Sequence, residues 1–229
     1  VLIDTGVHGT VTIGDINGIV TGWAGIVNRY ASAAYGGSPQ IIAGNVNLEI
    51  NMADGSATGL GTHNGVNLTA KNVELNITTG YSGGNSGGGV ATYAVLVGSP
   101  VNSGDKDPNN NGKFTTVTMD NFKLDQTVTG GKLVPVLNSG LRAIQGALDD
   151  SGDGYSGQII VHNNLDMTLT GNRIEAIYVS GSATDASRNE ATSQVVLNNS
   201  NIKLIQNSTT NNQSSVIKIG KARPIGKGK

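Results

Sequence analysis

The sequence has no cysteine, only two phenylalanines and only one tryptophan in 229 residues. Without thiols it can form neither structural disulfides nor thiolate zinc sites. Aromatic rings make up only 4% of the chain, so aliphatic side chains must fill whatever core it has. Neither sign of charge prevails: 15 lysines and arginines face 16 aspartates and glutamates. That balance argues against nucleic acid or an anionic membrane as the main partner, because both select for a strongly basic face. There is no apolar run of 18 residues and no signal-peptide pattern at the start. The chain opens in mid-pattern at "VLIDTG", so it reads as a piece excised from a longer protein.

What the chain does have is 34 glycines and 26 asparagines, residues that serve tight turns. The asparagines head a recurring phrase: "NVNLEI", "NVELNI", "NFKLDQ", "NLDMTL" and "NIKLIQ". Aligned on Asn45, Asn72, Asn121, Asn164 and Asn201, the next residue is always apolar, as is the residue two further on. Four positions before each asparagine stands another apolar residue: Ile41, Leu68, Val117, Ile160 or Leu197. Alternation after the asparagine predicts a strand with one face buried, and the apolar residue behind it predicts a second strand meeting the first at a corner. Asparagine suits such a corner because it tolerates the left-handed region, and corners stacked at the strand spacing of about 4.8 Å would let the amides bond to one another.

A third strand per repeat is visible in "YAVLVG" (93–98), "LRAIQG" (141–146), "IEAIYV" (174–179) and "SVIKIG" (215–220). The expected fold is therefore all-β, a right-handed parallel β-helix with three strands per coil and loop excursions of variable length. Residues 1–39 would form less regular N-terminal coils, with Trp23 packed as a core plug; residues 40–220 would form the helix and 221–229 a flexible basic tail. Val46, Leu48, Ile50, Val73, Leu75, Ile77, Leu165, Met167 and Leu169 should point inward. Gln126 and Gln206 break the third apolar position, as expected where a strand ends, the alternative being that these amides cap a bend.

These asparagine-cornered strands, typified by "NNSNIKLIQN", and returns such as "NRIEAIYVSG" resemble the passenger domains of autotransporters of the pertactin and AIDA type. The resemblance covers roughly residues 40–220. It implies a Gram-negative cell-surface or secreted β-helix, anchored through a C-terminal outer-membrane barrel absent from this chain, and used in adhesion. Partners would then be a second copy, or a protein or glycan of the host surface. The Arg-Gly-Asp tripeptide of pertactin-like passengers is missing.

Two loops have oxygen ligands at alternate positions followed by glycine, the first half of a calcium loop: Asp107, Asn109 and Asn111, then Asp149, Ser151 and Asp153. Each lacks the closing carboxylate at position twelve, where Thr118 and Ile160 stand. The plain alternative is that aspartate, asparagine and glycine are what surface turns are made of. No cofactor other than calcium is expected. An enzyme of polysaccharides would need preorganised carboxylates, and the one dense acidic cluster, Asp149, Asp150 and Asp153, lies in a glycine-punctuated loop. The remaining readings are adhesion or self-association, a passive stalk, and polysaccharide binding or degradation.

Overall fold

The computed structural model describes residues 9–28, 39–63, 65–82, 91–98, 114–130, 136–144, 156–181, 193–207 and 214–221. They form strands and no helix. Six passes of the chain alternate between two sheets. In the first sheet lie β1 (Thr10–Ile13), β2 (Ile16–Thr21), β4 (Gln40–Ala43), β5 (Val46–Met52), β7 (Asn67–Tyr81), β9 (Phe114–Gly130), β11 (Ser156–Gly171) and β13 (Gln194–Gln206). The second holds β3 (Ala24–Asn28), β6 (Thr58–Thr62), β8 (Ala91–Val97), β10 (Leu137–Ala143), β12 (Arg173–Gly181) and β14 (Ser215–Lys221). Each strand lies parallel to the corresponding strand one pass earlier, from β1 with β4 and β3 with β6 to β11 with β13 and β12 with β14. Strand pairing is thus already in place at residue 10, within the segment expected to be less regular.

The long strands β7, β9 and β11 each turn a corner. In β7 the alternation of buried and exposed residues runs through Leu68 and Ala70, slips at the exposed pair Lys71 and Asn72, and resumes at Val73, Leu75 and Ile77. Two consecutive outward residues are what a bend between two flat faces requires. The inward columns are those expected. Leu48, Leu75, Leu124 and Met167 stack in register, each at most 2% exposed, and Ile50 and Ile77 lie beside them. Burying such a side chain contributes about 1.5–3 kcal/mol.

Across from these leucines the second sheet places only small residues, in the column Gly25, Gly59, Ala94, Gly140 and Ala176. A Cβ on Gly59 would lie 2.6 Å from the carbonyl oxygen of Ala94 and 2.7 Å from Leu75 Cδ1, so the two sheets approach as closely as they do because these positions carry little or no side chain.

Four sequence expectations change. The frame set by asparagines fails in the last pass: Asn164 pairs with Asn199, and Asn201 lies opposite Asp166. Ile202 therefore continues the Met167 column and Leu204 the Leu169 column, while Gln206 is the last residue of β13. The residue continuing the Leu68 and Val117 column is Ile159, not Ile160, because the register shifts between Val161 and Asn164, where His162 and Asn163 both stand outside. Trp23 is 43% exposed and is not a core plug.

Gln126 does not end a strand either, since β9 continues to Gly130 and Gln126 is fully buried. Its Nε2 donates to Asn138 Oδ1 at 2.6 Å and to the carbonyl of Ser139 at 3.1 Å. Asn138, also fully buried, donates to the Thr170 carbonyl at 2.9 Å. One pass thus replaces two apolar positions by two amides, one of which donates to the other.

Candidate functional site

Outside the first sheet, at the corner, runs a ladder of side chains. The Nδ2 of Asn72 donates to Asn45 Oδ1 at 2.7 Å, Asn121 to Asn72 at 2.8 Å, Asn164 to Asn121 at 3.1 Å and Asn199 to Asn164 at 3.5 Å. Every amide donates toward the N-terminal pass. The first rung needs only an acceptor, and Asp15 supplies it: both the backbone N–H and the Nδ2 of Asn45 donate to its Oδ1, at 2.8 and 3.0 Å. Those two hydrogen bonds hold the Asp15 carboxyl below its ordinary pKa.

Beyond the corner the chain presents outward columns that are also in register. The first is Asn47, Glu74, Lys123, Asp166 and Asn201; the second is Glu49, Asn76, Asp125, Thr168 and Lys203. A third adds Asn51, Thr78, Thr127 and Thr170. Between the ladder and the first column lies a shallow groove of about 340 Å³, floored in part by Val46, Val73 and Phe122. Within the first column Lys123 Nζ bonds to Glu74 Oε1 at 2.8 Å, which raises the lysine's pKa. Glu49 accepts from Asn51 at 2.7 Å and Asp166 from Asn201 at 3.1 Å. On the near side of the corner one outward column is uncharged, formed by Thr10, Gln40, Asn67, Thr116, Gln158 and Gln194, with the Gln158 Nε2 donating to Gln194 Oε1 at 3.2 Å at its end.

The second sheet carries a compact ion cluster. Glu175 on β12 is 2% exposed, yet its Oε1 accepts from Lys218 at 2.6 Å and its Oε2 from Arg142 at 3.0 Å, with Arg173 at 3.5 Å. Burial alone would push the carboxyl upward, but the Lys218 hydrogen bond and charge, joined by Arg142 and Arg173, outweigh it and hold Glu175 below its ordinary pKa. The Arg142 guanidinium sits 3.8 Å from the centroid of the Tyr178 ring and 5.7 Å from that of Tyr93. Burial pushes the Tyr93 phenol up. Arg142 and Tyr178 stand directly opposite in register, so the cluster ties β8, β10, β12 and β14 together. The sequence expectations missed it because Arg142 and Lys218 lie 33 and 43 residues from Glu175. Aligning the third strands on one another would have exposed the column Leu96, Arg142, Tyr178 and Lys218.

The six calcium candidates, Asp107, Asn109, Asn111, Asp149, Ser151 and Asp153, all fall outside the described residues. Among the described residues there is no group of three or more histidines, aspartates or glutamates placed to hold a metal ion. His63 Nδ1 lies 2.6 Å from the Gly98 carbonyl, a structural tie between passes. The arrangement supplies repeated, shallow polar surfaces, and the buried carboxylate of Glu175 is already neutralised by its neighbours. Comparison with family models, with curated proteins and with solved structures finds no match.

Proposed function

We propose that the six passes are the turns of a right-handed parallel β-helix with three strands per turn, and that this rod acts in adhesion or self-association at a Gram-negative cell surface, as a passenger of the autotransporter type. The hand follows from the near-universal right-handedness of connections between parallel strands. Two of the three strands are the halves of each bent strand in the first sheet, and the third is the strand of the second sheet. The observation that carries the functional reading is that outward polar side chains repeat in register from pass to pass, so a partner meeting one row meets all of them. Each exposed contact is worth well under about 1 kcal/mol, and their sum rests on many acting together. Partners of this kind are a second copy of the chain, or a protein or glycan of the host surface.

Sedimentation equilibrium of residues 1–229 from about 10 μM to about 1 mM tests the self-association arm. The weight-average mass should climb with concentration. A protein that stays monomeric across that range is a passive stalk as far as its own copies are concerned.

A further inference from the structure

We propose that the charged face beyond the asparagine corner is a homotypic interface, in which two copies lie side by side and point the same way, related by a two-fold axis parallel to the direction in which the strands stack. This rests on the self-association reading above and names the surface that performs it. About such an axis the first column of one copy faces the second column of the other, pass by pass. Lys123 then faces Asp125 of the second copy, and Asp125 faces Lys123, giving two ion pairs. One pass earlier Glu74 faces Asn76, and one pass later Asp166 faces Thr168. At the outer charged passes Asn47 faces Glu49 and Asn201 faces Lys203, and one pass before Asn47 the uncharged Asn17 faces the exposed Ile19. No charge meets a like charge, and every charged group meets an opposite charge or a neutral hydrogen-bonding group.

Asp125 chooses between the two possible directions. Glu74 bonds to Lys123, Glu49 to Asn51 and Asp166 to Asn201 within the chain, whereas Asp125 makes no such bond. Turning the second copy upside down sets each column against itself. With the two copies centred on the Lys123 pass, Lys123 then meets Lys123 and Glu74 meets Asp166. Slid by half a step, the like charges separate, but Asp125 meets only Asn76 or Thr168; slid a whole step toward the Asp166 pass, Asp125 meets Lys203 but Asp166 then meets Asp166. Only the parallel arrangement gives Asp125 a cation of the second copy without setting like charges against each other. Five passes spaced about 4.8 Å apart and three outward residues about 6.6 Å apart give a face on the order of 400 Å² per copy. That is half of what a tight complex buries, so the dimer should be weak and readily dissociated by salt.

The test is sedimentation equilibrium at low and high salt of the wild type, of Asp125→Lys, of Lys123→Asp, and of the last two mixed in equal amounts, with melting curves to show that each variant is folded. Wild type should dimerise at low salt and lose this at high salt. Each variant alone should associate at least about tenfold more weakly, because both ion pairs become repulsions, and the mixture should regain the wild-type constant because one copy then carries two aspartates and the other two lysines. Asp125→Lys dimerising as tightly as wild type while Lys123→Asp is weakened would overturn the parallel arrangement in favour of the inverted one. If both variants dimerise as wild type does, the face is wrong while self-association stands. A wild type that stays monomeric at every concentration sinks both.

Discussion

Single side chains decide whether an interior position tolerates polarity, and Gln126 with Asn138 is the sharpest case. The two amides occupy register positions held one pass later by Leu169 and Ile174. Gln126 donates through Nε2, but its Oε1 has no hydrogen-bond partner, so the pair is not a fully satisfied network. Gln126→Leu alone should therefore cost about 1–3 kcal/mol, since it strips the Asn138 oxygen of its 2.6 Å donor. The double replacement Gln126→Leu with Asn138→Ile, which copies the next pass, should return to within about 1 kcal/mol of wild type or exceed it. Urea unfolding of the two single variants and the double variant measures this coupling. Costs that simply add would show that the amides do not act as a pair. Sequence alone could flag Gln126 as a break in an apolar column, but it could not supply the compensating amide, which lies on another strand twelve residues on.

At the scale of strands, the hydrogen-bond register is what sequence only partly discloses. The inward columns through Leu48, Leu75 and Met167 were legible because alternation survives any loop length. The frame between passes was not, because asparagine is common enough here to offer rival anchors. Asn163 and Asn164 stand side by side at the register shift of β11, and Asn198, Asn199 and Asn201 crowd the same place in β13. The ladder selects among them by hydrogen-bond geometry, and a sequence alignment has no access to that. Asp15, which begins the ladder, was invisible to a search for asparagine.

The second sheet is joined across its strands by Glu175 and its three cations. Because the folded-state pKa of Glu175 lies below the ordinary 4.5, this carboxylate contributes stability that is fully present above that value and is lost as pH falls through the lowered one. Glu175→Gln should cost about 1–3 kcal/mol at pH 7, a buried-pair figure reduced because Arg173 and Lys218 remain partly in water. It should also flatten the acid limb below pH 4.5. Urea midpoints for wild type and variant between neutral and acid pH check both effects, and parallel curves would remove Glu175 as the group responsible.

On the scale of the whole molecule, the account depends on every pass being laid over the previous one in a single register. The small-residue column from Gly25 to Ala176, the leucine columns facing it and the outward rows all follow from that one relation, and none of them would survive a slip of one residue, which exchanges inside for outside. The asparagine ladder reports that register directly, because its amide protons lie within hydrogen-bond distance of the neighbouring pass. Selective isotope labelling of asparagine and measurement of side-chain amide NOEs reads it out in solution. The account predicts an unbroken chain of contacts from Asn45 through Asn72, Asn121 and Asn164 to Asn199, with Asn201 outside it; amides that show no contact with one another, or a chain that ends in Asn201, would contradict it.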